Sequence, residues 1–207
     1  MTSVIGSLSA ARIVPVIVID DPAHAGELAA ALVEGGIRAA EVTLRTPAGL
    51  DAMAAMAAHG DLIVGAGTVL TPEQVDACAA AGAQFIVSPG FDEDVVARAQ
   101  EAGLGMLPGV ATATEVQRAL RSGLTELKLF PADRLGGIAM IDSLRGPFPD
   151  LRFMPSGGVG ASNAVEYLAH PGVFAISGSW MATRAAIASG DFEGIRAASA
   201  AAMELVG

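Results

Sequence analysis

Pro155-Ser156-Gly157-Gly158 and Ser177-Gly178-Ser179 are the stretches whose reading decides the fold. Each closes a short apolar run, over residues 152–155 and 173–177, and each leads toward a helix-forming stretch. Six earlier runs of the same kind cover residues 13–19, 39–44, 62–66, 84–88, 104–108 and 126–130. Successive starts lie about 20–26 residues apart, the repeat of compact βα units. Thr46-Pro47 and Thr71-Pro72-Glu73 read as helix caps followed by a first-turn proline. Gly82, Gly103 and Gly123 stand where helices should stop. An open doubly wound sheet would carry its glycine-rich phosphate turn after the first strand. Here that strand runs into Asp20-Asp21-Pro22, and the glycine turns come after the seventh and eighth strands. Those are the places where a barrel binds phosphate. The predicted fold is therefore α/β, a single (β/α)8 TIM barrel forming one domain over residues 1–207, with short connections.

Composition narrows the partners. The chain has 207 residues, 52% of them hydrophobic, and a formal net charge of −10. That field argues against nucleic acid or an anionic membrane surface and favours a small-molecule ligand held by local cations. Cys78 is the single cysteine, and His24, His59 and His170 are scattered, so neither a disulfide nor a metal site is expected. The apolar run at residues 13–19 is too short to span a membrane and lacks a basic leader, so the chain reads as cytoplasmic.

Lys128 is the only lysine; the other 11 basic positions of the 12 are arginine. It lies within Leu127-Lys128-Leu129-Phe130-Pro131, a strand-like context. Desolvation can turn a lysine into a neutral amine, which attacks a carbonyl carbon to give a Schiff base. A strand-end lysine that snorkels into water is the plainer reading. By period two, Glu126, Lys128 and Phe130 share one strand face. Glu41, Thr43 and Arg45 share a face of the second strand, with Val42 and Leu44 on the other. Both polar faces then point into the barrel interior, where a glutamate and an arginine must be paired or working. An ion pair between Glu41 and Arg45 is the structural alternative to function. Arg45 would favour the neutral amine at Lys128, whereas Glu41 and Glu126 would favour the ammonium.

Gly65-Ala66-Gly67-Thr68 ends the third strand; its glycines would let a ligand approach, and Thr68 offers a hydroxyl. Met53, Met56 and Cys78 read as packing, and Trp180 as a support for the last glycine turn.

With these residues in place the chain closely resembles the 2-keto-3-deoxy-6-phosphogluconate (KDPG) aldolases, including members that also cleave 4-hydroxy-2-oxoglutarate (KHG). The blocks that carry the resemblance are Glu-Val-Thr-Leu-Arg-Thr at 41–46, Gly-Ala-Gly-Thr-Val-Leu at 65–70, Ser-Pro-Gly at 88–90, Lys-Leu-Phe-Pro-Ala at 128–132 and Ser-Gly-Ser-Trp at 177–180. The resemblance implies a metal-independent class I aldolase that assembles as a homotrimer and uses no cofactor beyond a covalent imine with Lys128. It implies Glu41 as proton shuttle, Arg45 and Thr68 on the pyruvate carboxylate, and Phe130 with Pro89 as an apolar wall. Gly157, Gly158, Gly178 and Ser179 would hold the phosphate. Ser156 departs from the family's usual threonine beside the substrate's stereocentre, which predicts weaker discrimination between sugar epimers. Gly158-Val159-Gly160-Ala161-Ser162 replaces a proline-containing helix start and predicts a looser turn.

Overall fold

The computed structural model describes residues 3–207. A short helix α1 (Val4–Ala11) comes first, its Ser3 hydroxyl accepting from the Gly6 amide. Strands and helices then alternate: β1 (Ile13–Ile17), α2 (Ala25–Glu34), β2 (Ala39–Thr43), α3 (Gly49–Ala57), β3 (Ile63–Gly67), α4 (Pro72–Ala80), β4 (Phe85–Val87) and α5 (Glu93–Glu101). Next come β5 (Gly105–Leu107), β6 (Gly109–Val110), α6 (Ala113–Arg121), β7 (Glu126–Leu129), α7 (Ile138–Arg145) and β8 (Arg152–Pro155). The chain ends with α8 (Ala164–Ala169), β9 (Ile176–Gly178), α9 (Arg184–Ser189) and α10 (Phe192–Val206).

The strands do not close into the predicted (β/α)8 barrel. Among the described residues they form a six-stranded sheet, ordered β5-β4-β3-β2-β1-β9, and a separate three-stranded sheet, β6-β7-β8. The named pairs are parallel. Proline explains one break. Pro108 has no N–H to give a ladder: β5, which pairs with β4, stops at Leu107 inside the predicted fifth strand, and β6, which pairs with β7, begins beyond it at Gly109. The other break lies between β8 and β9, where only isolated bridges, Phe153 to Val173 and Ser156 to Ser177, join the edges. Strand bounds otherwise follow the apolar runs, mostly trimmed at their ends, with β3 and β9 each running one residue further, to Gly67 and Gly178.

Alternation along each strand sorts the side chains into two clusters. Leu127, Leu129 and Phe153 face the surrounding helices in the larger one. The smaller one lies on the inner face and joins Leu8 of α1 to Val14, Phe85, Val87, Leu107, Met154 and Phe174. Helix α1, absent from the sequence reading, thus covers apolar inner-face residues, with Val4 and Ile5 packed against the same cluster. Met53, Met56 and Cys78 are fully buried, as expected of packing residues. Burial pushes the Cys78 thiol up to about 11.

Helix ends follow the caps in part. Thr71 accepts from the Gln74 amide ahead of Pro72, and Gly82, Gly103 and Gly123 take φ of +88°, +71° and +78° after their helices. Thr46 does not cap. Its hydroxyl donates to the Ile19 carbonyl, and α3 begins later, at Gly49.

Candidate active site

Lys128 and Glu41 meet on the inner face. Lys128 lies between Gly109 of β6 and Met154 of β8, and its amide donates to the Pro108 carbonyl at 3.0 Å. Glu41 lies between Val16 of β1 and Gly65 of β3. Lys128 Nζ donates to Glu41 Oε1 at 3.3 Å, with the two side chains 6% and 0% exposed. The other carboxylate oxygen, Oε2, is buried without a hydrogen-bond partner among the described residues. Lys128 Nζ also sits 5.2 Å from the centre of the Phe130 ring. This is a desolvated pair beside an aromatic ring, with one acceptor oxygen left over for a proton.

Glu41 pairs with Lys128, so the alternative Glu41–Arg45 ion pair is not formed. Arg45 lies past the end of β2, is exposed, and points its Nε to Thr68 Oγ1 at 3.4 Å. Thr68 holds φ at +60°, a conformation that a β-branched residue rarely takes. Leu44 donates to the Gly67 carbonyl at 2.9 Å and Val69 to the Val87 carbonyl at 3.3 Å, pinning the segment on both sides. Strain of this kind gathers at sites that hold a ligand.

The glycines of β3 make room for neighbouring side chains. A Cβ on Gly67 would overlap the Glu41 carboxylate, and one on Gly65 would overlap the Phe85 ring.

A cavity of about 280 Å³ opens at the C-terminal edge of the strands. Arg45, Phe130, Ser156, Gly157, Gly158, Gly178 and Ser179 line it, together with Val16, Val18, Val159 and Ser177. Gly157 and Gly158 take φ of +88° and +83°, which only glycine adopts at ease. The carbonyls of Ser156, Gly157 and Gly158 accept from the Ala132 amide, the Asp133 amide and Asn163 Nδ2. Through the Ser156–Ser177 bridge the Gly157 amide is directed at the Ser177 carbonyl, and among the described residues the Gly158 amide has no acceptor. Such a free N–H group in a left-handed turn suits an anion. Asn163 Oδ1 also accepts from the Gly160 amide at 2.9 Å. The turn at 158–162, predicted to be loose, is therefore tied from both sides by one asparagine. Trp180 packs on Gly178, where a Cβ would strike its ring.

A model of the KDPG and KHG aldolase family matches residues 4–198. The 2-dehydro-3-deoxy-phosphogluconate aldolase of Treponema pallidum is 45% identical over 100% of this chain and 99% of its own length. The chain belongs to the KDPG and KHG aldolase family. A Legionella pneumophila KDPG aldolase, solved with pyruvate captured as a covalent carbinolamine, superposes with a TM-score of 0.92 at 38% identity, covering 97% of this chain and 98% of that one. A Zymomonas mobilis KDPG aldolase with 3-phosphoglycerate gives 0.90, also at 38%, over 98% and 96% of the two chains.

Within this aldolase-family chain, Lys128, Glu41, Thr68 and Pro89 stand outside the lining of the cavity. Lys128 reaches it through Phe130, and Thr68 through Arg45. Phe130 lines the cavity with Val16, Val18 and Val159, without Pro89. Pro89 is exposed at the end of β4, its carbonyl crowding Gly109. Glu126, the second acid on the Lys128 face, is engaged elsewhere, accepting from Arg152 at 2.6 Å and from the Thr125 hydroxyl at 2.9 Å. Val16, Val18, Val159 and Ser177 were absent from the predicted site. The signal for Ser177 was its place in the last glycine turn block; the valines looked like any other strand residues. Among the described residues no group of three or more His, Cys, Asp or Glu is placed to hold a metal, and no helix is long and apolar enough to cross a membrane.

Proposed function

We propose that this aldolase-family chain cleaves 2-dehydro-3-deoxy-6-phosphogluconate to pyruvate and glyceraldehyde 3-phosphate, and also 4-hydroxy-2-oxoglutarate to pyruvate and glyoxylate. The observation that carries the reading is the sole lysine, buried on a glutamate beside an anion-suited cavity. Lys128 gives an ammonium proton to Glu41, 3.3 Å away, and the neutral amine adds to the C2 ketone. The carbinolamine hydroxyl takes a proton and leaves as water, which gives the iminium. Glu41, again a carboxylate, then takes the C4 hydroxyl proton through a water. The C3–C4 bond breaks, its electrons move to the iminium, and the aldehyde leaves. Reprotonation at C3 and hydrolysis release pyruvate and restore the amine.

Arg45 and Thr68 hold the pyruvate carboxylate, and Phe130 and Pro89 shield the apolar side. Ser156 lies beside the C4 stereocentre. Gly157, Gly158, Gly178 and Ser179 hold the phosphate, in keeping with the unpaired Gly158 amide of the first glycine turn. The covalent imine serves in place of a cofactor. The working form is a homotrimer in the cytoplasm, which light scattering on the purified chain would test for its oligomeric part.

Borohydride reduction with pyruvate tests the chemistry. One adduct per chain is expected, located on Lys128 by peptide mass spectrometry and absent from Lys128→Arg. An adduct that persists in this variant would overturn the Schiff-base assignment and leave a phosphate-ligand binding protein as the better reading.

A further inference from the structure

Among the described residues, buried side-chain atoms without a hydrogen-bond partner include His24 Nδ1, Glu41 Oε2, Ser177 Oγ and Ser199 Oγ. Two of these belong to contacts between outer elements. The His24 ring packs edge-on against Phe192, and Ser199 fills the close approach of α10 to Gly35, just past the end of α2. The other two sit on strands. Glu41 belongs to the chemistry proposed above. Ser177 has no task yet.

Ser177 is the middle residue of β9 and is 0% exposed. Its neighbour Ile176 packs in the outer cluster, so period two turns Ser177 to the inner face, the side that holds Ala175. It is in register with Val14 on one side and bridges to Ser156 on the other. Partners in register share a sheet face, so Ser156 and Ser177 stand side by side. Both line the 280 Å³ cavity. Each also directly precedes a glycine turn: Gly157-Gly158 follows one serine and Gly178-Ser179 the other. Phe130, whose ring centre lies 5.2 Å from Lys128 Nζ, lines the same cavity. A ligand that runs from the Lys128 side to the glycine turns must pass the two serines. The part of it at that depth lies between the imine carbon and the phosphate.

We infer that the Ser177 hydroxyl is a specificity contact, which hydrogen-bonds the C5 hydroxyl of a phosphorylated 2-keto-3-deoxy sugar acid. The inference rests on the proposed aldolase reading and extends it to the aldehyde half of the substrate. A hydroxyl can both donate and accept, and it turns about one bond to meet its partner. Left unpartnered in the folded protein, it disfavours folding; with substrate present, that unmade bond is made. Ser156 beside it acts on the neighbouring stereocentre, so the two serines read adjacent carbons.

A structural serine and a substrate-reading serine behave differently on truncation. The test compares Ser177→Ala and Ser177→Gly with the parent chain on two substrates, the natural 6-phosphate and its 5-deoxy counterpart. Removing the hydroxyl should lower kcat/KM for the natural substrate about tenfold, with little change for the 5-deoxy compound. Borohydride capture of pyruvate should stay within about twofold, because pyruvate has no C5 hydroxyl to lose. The Tm of Ser177→Ala should rise by about 2–4 °C, since an unpaired buried group is gone. An unchanged preference between the two substrates, or an equal fall on both with a lowered Tm, would overturn the inference while imine capture still stands. Failure of the parent chain itself to capture pyruvate would instead remove the aldolase reading, and the inference with it.

Discussion

Strand β7 carries two ion pairs on one face, two residues apart, and they differ in nearly everything except charge. At its start, Glu126 meets Arg152 at 2.6 Å, with the side chains 26% and 43% exposed. Thr125 gives the same carboxylate a second donor, and the guanidinium lies over the Phe174 ring. Further along, Lys128 meets Glu41 at 3.3 Å, both almost wholly removed from water, and one glutamate oxygen stays unpartnered. The first pair is solvated and satisfied. The second is desolvated and under-satisfied, which makes it a poor device for stability and a good one for moving a proton. Burial, more than charge or spacing, separates structural from reactive on this strand.

The harshest way to test that contrast is to truncate one member of each pair. Lys128→Met should abolish turnover and imine capture. It also leaves Glu41 buried and uncompensated, so urea denaturation should show a loss of about 3–5 kcal/mol. Arg152→Met should leave turnover intact and cost about 1 kcal/mol or less, because a solvated pair contributes little. Equal destabilisation by the two would refute burial as the distinguishing variable. The acids offer a gentler comparison. Glu41→Gln should lower kcat by about 10²–10⁴-fold while some imine still forms, whereas Glu126→Gln should be near parental. Loss of turnover in Glu126→Gln instead would move the proton shuttle to the other end of the strand.

Arg45→Ala probes the solvated rim of the reactive region. It should raise the pyruvate concentration needed for half-maximal imine capture by about tenfold, the worth of one charge-assisted hydrogen bond, with little effect on Tm. Unchanged saturation would leave Arg45 as a partner of Thr68 alone. The smallest effect is expected at Ser156. Restoring the methyl in Ser156→Thr should shift the preference between gluconate and galactonate epimers by an amount equivalent to about 1–3 kcal/mol, without abolishing either cleavage. Epimer ratios of kcat/KM that match those of the parent would place stereocontrol elsewhere in the cavity.

Much of this was legible in the chain. Period-two alternation was enough to put Lys128 and Glu41 on inward faces, because side-chain direction along a strand is a local property. The glycine turns were legible for a similar reason, since positive φ at Gly157 and Gly158 is a demand that a residue type can advertise. The blocks at 41–46, 65–70 and 128–132 were enough to name the family. Other features depended on neighbours distant in sequence. Glu41 has Arg45 only four residues away and instead meets a lysine 87 residues on, because only the assembled strands bring those faces together. That Gly65 and Gly67 give room to Phe85 and Glu41 likewise depends on residues distant in sequence. Sheet closure was misjudged for the same reason. The apolar run at 104–108 reads as one strand, but Pro108 withholds the N–H that a continuous ladder needs, and hydrogen-bond pairing is settled between strands, never within one. The sequence by itself determined the directions of side chains along their strands and the conformations that glycine makes accessible. Only the tertiary structure decided which charge faces which, what remains dry, and which polar atom is left without a partner, because each of these is a sum over neighbours that the chain order does not contain.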